Sequence, residues 1–268
     1  MIHDADDDLA GSVRTIRIEK AQIILKDNNY VEEPRILSEK ITYNSKGRRL
    51  DVFLYNRDGV FTAKSVYSYD AEGELTEITE YNMDGSLLNK KVYTRSSDRR
   101  SIEEVTYNDG ESTSSNKTIH TLNDADKQTS LTTFDANGVP SIKVIISYNG
   151  KGKIREVVMC SSVKNGMIVP GSGGRSVVLS DDVKDKMKGV SPCSDSLFIS
   201  KTIFTHDDDG HLIETATYTH DNFLVSKEIY TYEFDSHGNW IKQTKSKWNI
   251  ENGKYKPVET TYREIRYY

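Results

Sequence analysis

The chain lacks most of what a thick globular core or a catalytic centre would need. Apolar residues are only 35% of its 268 residues. It has no run of 18 apolar residues, so it has no transmembrane helix, and the expectation from that absence is a protein with no membrane span. It has no excess of basic charge: the net charge is −5, with a pI near 5.8, which argues against a nucleic-acid partner reached through bulk charge. The two cysteines are too few to bind a metal through sulfur alone. The nucleophile-elbow and zinc-helix motifs are missing. Gly171-Ser172-Gly173-Gly174-Arg175-Ser176 is glycine-rich but lacks the Gly-Lys pair of a phosphate loop. Asp207-Asp208-Asp209-Gly210 resembles part of a calcium loop, but Thr205 and Ala216 stand where acidic ligands are required, so a turn is expected. No cofactor, metal or enzymatic activity is therefore expected. The start, Met1 to Asp8, is acidic and lacks the basic and apolar regions of a signal peptide. That leaves a cytoplasmic protein or one whose signal has been trimmed.

What the chain does have is one short phrase repeated from end to end: an aromatic residue, then Asn or Asp, two free positions, then Gly. It occurs at Tyr43-Asn44 with Gly47, Tyr55-Asn56 with Gly59, Tyr69-Asp70 with Gly73, and Tyr81-Asn82 with Gly85. It returns at Phe134-Asp135 with Gly138, Tyr148-Asn149 with Gly152, and Phe234-Asp235 with Gly238. Asn123-Asp124-Ala125-Asp126 keeps the phase without its glycine. The aromatic suits the end of a strand, Asn or Asp starts a turn by bonding backbone two residues on, and Gly supplies the positive φ that closes a hairpin loop. Between these turns lie about eight residues rich in Val, Ile, Thr and Tyr, which is strand length and strand composition. Successive glycines stand alternately 12 and 14 residues apart, so two strands make a unit of 26 residues, a period typical of arrays. The loops are too short for crossovers, so the strands must pair antiparallel.

Segments such as Glu74 to Tyr81 show no clean apolar face in period two, and a thinly covered sheet held by aromatic and opposite-charge pairs is expected. The predicted fold is all-β: an elongated antiparallel β-meander, solenoid-like, with one short helix in an insertion. Residues 1–14 read as a flexible acidic tail, and 15–268 as a single β-repeat domain. That domain has a first array over 15–160, an insertion over 161–196, and a second array with a C-terminal cap over 197–268. Within the insertion, Ser180 to Gly189 has the capping and charge order of a helix. Cys160 and Cys193 bracket the insertion. A disulfide there would pin its base and imply an oxidising compartment, and two free thiols are the alternative. Trp240 and Trp248, an even number of residues apart on one strand, share a face. With Tyr232 they are the candidate binding residues, able to stack on a sugar ring or on a partner's apolar patch.

Tyr67-Ser68-Tyr69-Asp70 with Gly73 and Leu75, and Tyr232-Glu233-Phe234-Asp235 with Gly238, Asn239 and Ile241, resemble the RHS (YD) repeats of bacteria. The likeness is to the short, envelope-associated proteins of that type. Such a resemblance implies an extracytoplasmic location, periplasmic, surface or secreted, and a non-catalytic chain that binds or scaffolds a protein or glycan. A looser likeness to antitoxins built from short β-hairpin repeats implies instead a neutralising or chaperone-like protein with one partner. The oligomeric state is not readable from these features.

Overall fold

The computed structural model describes residues 9–109, 116–135, 137–161, 168–170, 176–178, 193 and 197–268. Its strands are β1 (Val13–Lys26), β2 (Asn29–Glu32), β3 (Ile36–Tyr43), β4 (Arg49–Tyr55), β5 (Phe61–Tyr69), β6 (Leu75–Asn82), β7 (Leu87–Arg95), β8 (Ser101–Asn108), β9 (Asn116–Leu122), β10 (Gln128–Phe134), β11 (Pro140–Tyr148), β12 (Ile154–Ser161), β13 (Ile168–Pro170), β14 (Ser176–Val178), β15 (Leu197–His206), β16 (Leu212–Thr219), β17 (Leu224–Phe234), β18 (Trp240–Asn249) and β19 (Lys254–Tyr267). Among the described residues there is no helix. The segment 180–189, where a short helix was expected, lies outside them.

The repeated phrase builds one turn over and over. At Asn44 the backbone amide bonds the carbonyl of Arg48 at 2.8 Å, and the Gly47 amide bonds the carbonyl of Asn44 at 2.9 Å. The Asn44 side-chain oxygen then accepts the amides of Lys46 and Arg48 at 2.9 and 3.0 Å. Asn56 and Asn149 repeat the pattern. At the degenerate copy, Asp126 occupies the glycine place at φ +55° and still bonds the carbonyl of Asn123 at 3.0 Å. Tyr43, Tyr55, Tyr69, Phe134, Tyr148 and Phe234 are each the last residue of their strands. Two of these tyrosines also reach back over the preceding hairpin: Tyr69 donates its hydroxyl to the carbonyl of Arg49 at 2.9 Å, and Tyr148 to that of Gln128 at 2.6 Å. At Gly73 the Arg48 guanidinium folds over the turn, within 1.7 Å of where a Cβ would stand, and bonds the carbonyl of Glu72 at 3.3 Å.

Hydrogen bonding joins seventeen strands in one sheet, and β13 and β14 form a separate hairpin. Each hairpin neighbour pairs antiparallel, as expected, but the sheet does not end. β1 pairs with β3 on one side and with β19 on the other, Ile16 standing opposite both Ile41 and Ile265. The short β2 pairs with the far end of β1, from Ile23 to Lys26. The remaining sixteen strands close into an antiparallel β-barrel. The elongated, solenoid-like meander is thus corrected to a closed barrel, in which β19 pairs with β18 on one side and β1 on the other and so completes the ring. A local repeat specifies hairpins equally well in both architectures. Closure needs one pairing between the two ends of the chain, and no hairpin motif encodes it.

The chain divides into two compact units, one of Met1–Thr94, Thr106–Thr113 and Glu228–Tyr268, the other of Arg95–Val105 and Ser114–Lys227. In the first, Val13, Ile16, Ile18, Ile41, Tyr43 and Val52 form a buried cluster against which Leu9, Tyr67, Ile265 and Tyr267 pack. In the second, Val158 packs with Cys160 and Cys193 against Ile145 and Phe198. Elsewhere the sheet is thinly covered, and every residue of β6 is half-buried. Opposite-charge pairs bridge adjacent strands there, among them Lys64 to Asp51 at 2.7 Å, Lys90 to Glu77 at 2.5 Å and Lys227 to Glu214 at 2.8 Å. Each exposed pair of this kind contributes roughly 0.2–1 kcal/mol.

Candidate functional site

In the first unit the strands around the ring closure have one packed face and one open face. On β1, Ile16 and Ile18 are buried, whereas Arg14 and Arg17 are exposed. The register carries this across neighbouring strands, with Arg17 directly opposite Glu264 on β19 and Lys40 on β3. Thr15, two residues before Arg17 on the same face, stands opposite Arg266 and Thr42. Arg14 joins them through a bulge. Val13 pairs with Tyr267 and Thr15 with Arg266, so Arg14 is an extra residue in the ladder and turns away from the packed face. Arg14, Arg17, Lys40 and Arg266 then line a concavity of about 560 Å³ with Glu264 and Tyr55.

Beside it lies a second concavity of about 390 Å³, lined by Arg17, Arg35, Glu233, Lys242, Tyr262 and Glu264 among others. Its charges are nearly balanced, four cations against Glu19, Glu233 and Glu264. Lys242 bonds Glu233 at 2.8 Å, and the Arg35 guanidinium lies 3.4 Å above the centre of the Tyr262 ring. Tyr262 and Thr260 donate their hydroxyls to the two oxygens of Glu32, at 2.5 and 2.8 Å. This is a braced polar surface that presents an aromatic edge.

The three aromatics singled out in the sequence flank this region without forming one patch. Trp240 and Tyr232 meet edge to face at 6.0 Å, and the Arg263 guanidinium covers the Trp240 ring at 3.5 Å. Trp248 lies at the other end of β18 against Tyr255, 5.0 Å away. All three are half-buried. The sequence reading missed Arg14, Arg17, Lys40 and Arg266. The available signal was arginines three apart in both the first and the last strand, 14 with 17 and 263 with 266.

The floor of the closure is the turn between β17 and β18. Asn239 is buried, 3% exposed. Its side-chain oxygen accepts the Ala10 amide at 2.7 Å, and its amide nitrogen donates to the Ala10 carbonyl at 2.7 Å and the Tyr267 hydroxyl at 2.8 Å. Tyr267 donates to the carboxylate of Asp235 and stacks on His237 at 4.1 Å. Partial burial pushes the Asp235 carboxyl up, but the Tyr267 hydroxyl and the amides of Asn239 and His237 outweigh it and hold the group below the usual aspartate range. A carboxyl depressed in the folded state adds stability above its unfolded pKa, near 4, and loses it as pH falls through the lower folded value. Asp235→Asn is therefore expected to lower Tm at neutral pH and flatten its decline below about pH 4. Thermal melts across pH check this, and an unchanged acid limb contradicts it.

In the second unit the sulfurs of Cys160 and Cys193 are joined as a disulfide with a Cα separation of 5.8 Å. Both residues are buried, at 0% and 1% exposure. Asp207, Asp209 and His211 bring their ligand atoms within 4.8 Å of one another, a grouping the sequence reading had treated as a turn. It is a turn: the Asp207 carboxylate accepts the amides of Asp209 and His211 at 3.0 and 2.8 Å.

No family model matches the chain, and no curated protein matches it. Among solved structures, a porin-like protein from Bacteroides uniformis superposes with a TM-score of 0.50 at 12% identity, over 96% of this chain and 98% of that one. A porin-like protein from Bacteroides vulgatus gives 0.30 at 8% identity, over 93% and 97% of the two chains. A chain of the TcdB2–TccC3–Cdc42 complex gives 0.17 at 12% identity, over 91% of this chain and 15% of that one. The first likeness, at the level of fold, agrees with the closed barrel. It also corrects the expectation of no membrane span. That expectation rested on the lack of an apolar helix, and no helix among the described residues is long and apolar enough to cross a membrane. A barrel crosses with its strands, and this chain has a barrel fold shared with a porin-like protein, so the missing helix excludes nothing.

Proposed function

We propose that this chain is an RHS-like repeat barrel of the bacterial cell envelope that acts by binding rather than by catalysis, with its working side on the open face of β18, β19, β1 and β3. The observation that carries the reading is the division of that region into a packed apolar face and an open face of braced charges and aromatics around Arg17, Lys242 and Tyr262. Two further features support the envelope. The Cys160–Cys193 disulfide suits an oxidising compartment, and the fold is shared with a porin-like protein of Bacteroides.

The test is affinity capture by the purified protein from envelope and soluble fractions of its source cell, beside a variant carrying Arg35→Gln and Lys242→Gln. Retention of an envelope glycan or envelope protein by the native chain, and its loss by the variant, is the expected result. Equal retention by both would overturn the choice of face. Stoichiometric capture of a single soluble protein would replace the reading with that of a neutralising partner.

A further inference from the structure

We propose that the concavity at the ring closure is a binding site for a multivalent oxyanion, a ligand carrying phosphate or carboxylate groups, held by Arg14, Arg17, Lys40 and Arg266. The inference rests on the binding-surface reading above and names the chemistry of its ligand. Four cations line this concavity against one carboxylate, Glu264, on a chain whose net charge is −5. The imbalance is therefore local, and it creates a positive field where the molecule as a whole is negative.

Pairing with nearby carboxylates leaves two of the four cations uncompensated. Arg266 spends its guanidinium on Glu264, with contacts of 3.1 and 2.8 Å. Arg17 bonds Glu19 at 2.7 Å along its own strand. Among the described residues, Arg14 and Lys40 have no carboxylate within ion-pair reach, and Lys40 meets only the Phe53 ring, at 5.8 Å. The register also sets Arg17 directly opposite Lys40. Like charges in that position oppose sheet formation, so the pair does not serve the fold. An oxyanion between them would turn the repulsion into two charge-assisted hydrogen bonds, and an arginine fork matches the planar geometry of such a group. Arg14 reaches this face only because the ladder spends an extra residue on a bulge, a device that re-aims side chains. The neighbouring braced concavity sets three carboxylates, Glu19, Glu233 and Glu264, against its four cations, so its charge is nearly balanced.

The experiment uses the full chain and three probes: inorganic tripolyphosphate, phosphatidylglycerol vesicles and phosphatidylcholine vesicles. The native protein should bind tripolyphosphate or the phosphatidylglycerol vesicles and ignore phosphatidylcholine. Affinity should fall as salt is raised from about 0.05 to about 0.5 M, since the site is exposed and screened. Combining Arg14→Gln with Lys40→Gln, both on exposed side chains, should weaken binding about tenfold or more, and Lys40→Arg should retain it. Binding of the soluble anion assigns a free ligand, and binding of the vesicles alone assigns a lipid headgroup. No binding to either anionic probe, or equal binding by the double variant, overturns the proposal. The envelope-capture result with the Arg35 and Lys242 variant is read independently, so a failed anion site and a failed binding face are distinguishable.

Discussion

Ending the chain at Gly253, which deletes β19, is expected to abolish cooperative folding. β19 pairs with β18 on one side and with β1 on the other, and Thr260 within it is wholly buried. Its Ile265 and Tyr267 pack on the cluster around Ile16. Removal leaves two long ladders of unpaired backbone groups and an uncovered apolar cluster, which favours aggregation over a shortened native state. The measurement is thermal melting by circular dichroism, with size-exclusion chromatography. The truncated chain should show no sharp transition and elute as aggregate. An open meander would behave otherwise, losing one end strand and melting nearly as before. A circular permutant sharpens the contrast. The Tyr268 amide already bonds the carbonyl of Ser12 at 2.9 Å, so β19 ends beside the start of β1, a linker from residue 268 to residue 1 can bridge the two with residues 1–12 retained, and new termini can open at the exposed turn 57–58. Such a permutant should stay folded, within about 1–2 kcal/mol of the native chain.

The second large effect is expected at Cys160 and Cys193. The bond closes a loop with a sequence separation of 33. Loop-closure entropy for that length gives a stabilisation of about 4 kcal/mol. Replacing both cysteines by alanine should cost at least that much, because both sites are buried and the lost sulfurs leave space beside Val158. The expected fall in Tm is on the order of 10 °C. Refolding the native chain under reducing conditions removes the bond but keeps the sulfurs, so the difference between the two measurements isolates the packing part. A loss below about 1 kcal/mol in both would show that the unfolded chain is already held together at this loop.

How much was legible follows from the range of each interaction. The Asn44 turn needs Asn44, Gly47 and the backbone between them, all within five residues, and the structure repeats the expected bonds there. Even the copy at Asn123, which lacks its glycine, closes in the same way, because aspartate tolerates the positive φ taken up at Asp126. The even spacing of Trp240 and Trp248 was a sound guide to their shared strand, but not to the guanidinium of Arg263 lying over Trp240. Arg263 is on the neighbouring strand, in a register set by a turn and a β-bulge. The tyrosine hydroxyls that tie Tyr69 to Arg49 and Tyr148 to Gln128 each reach back 20 residues in sequence, beyond what the turn motif describes.

By itself, the sequence determined the all-β class, the antiparallel hairpins, the turn chemistry and the positions where aromatics end strands. These depend on alternation and on backbone bonds made within one turn. Only the tertiary structure decided that the sheet closes, that Arg14 and Arg17 share a concavity with Lys40 and Arg266, and that a buried Asn239 anchors Ala10. Each of these depends on β1 lying beside β19, a contact between residues some 250 positions apart. Strand curvature accumulates in small increments over many residues, and a repeat that specifies every hairpin in the same terms carries no mark of where the last strand meets the first.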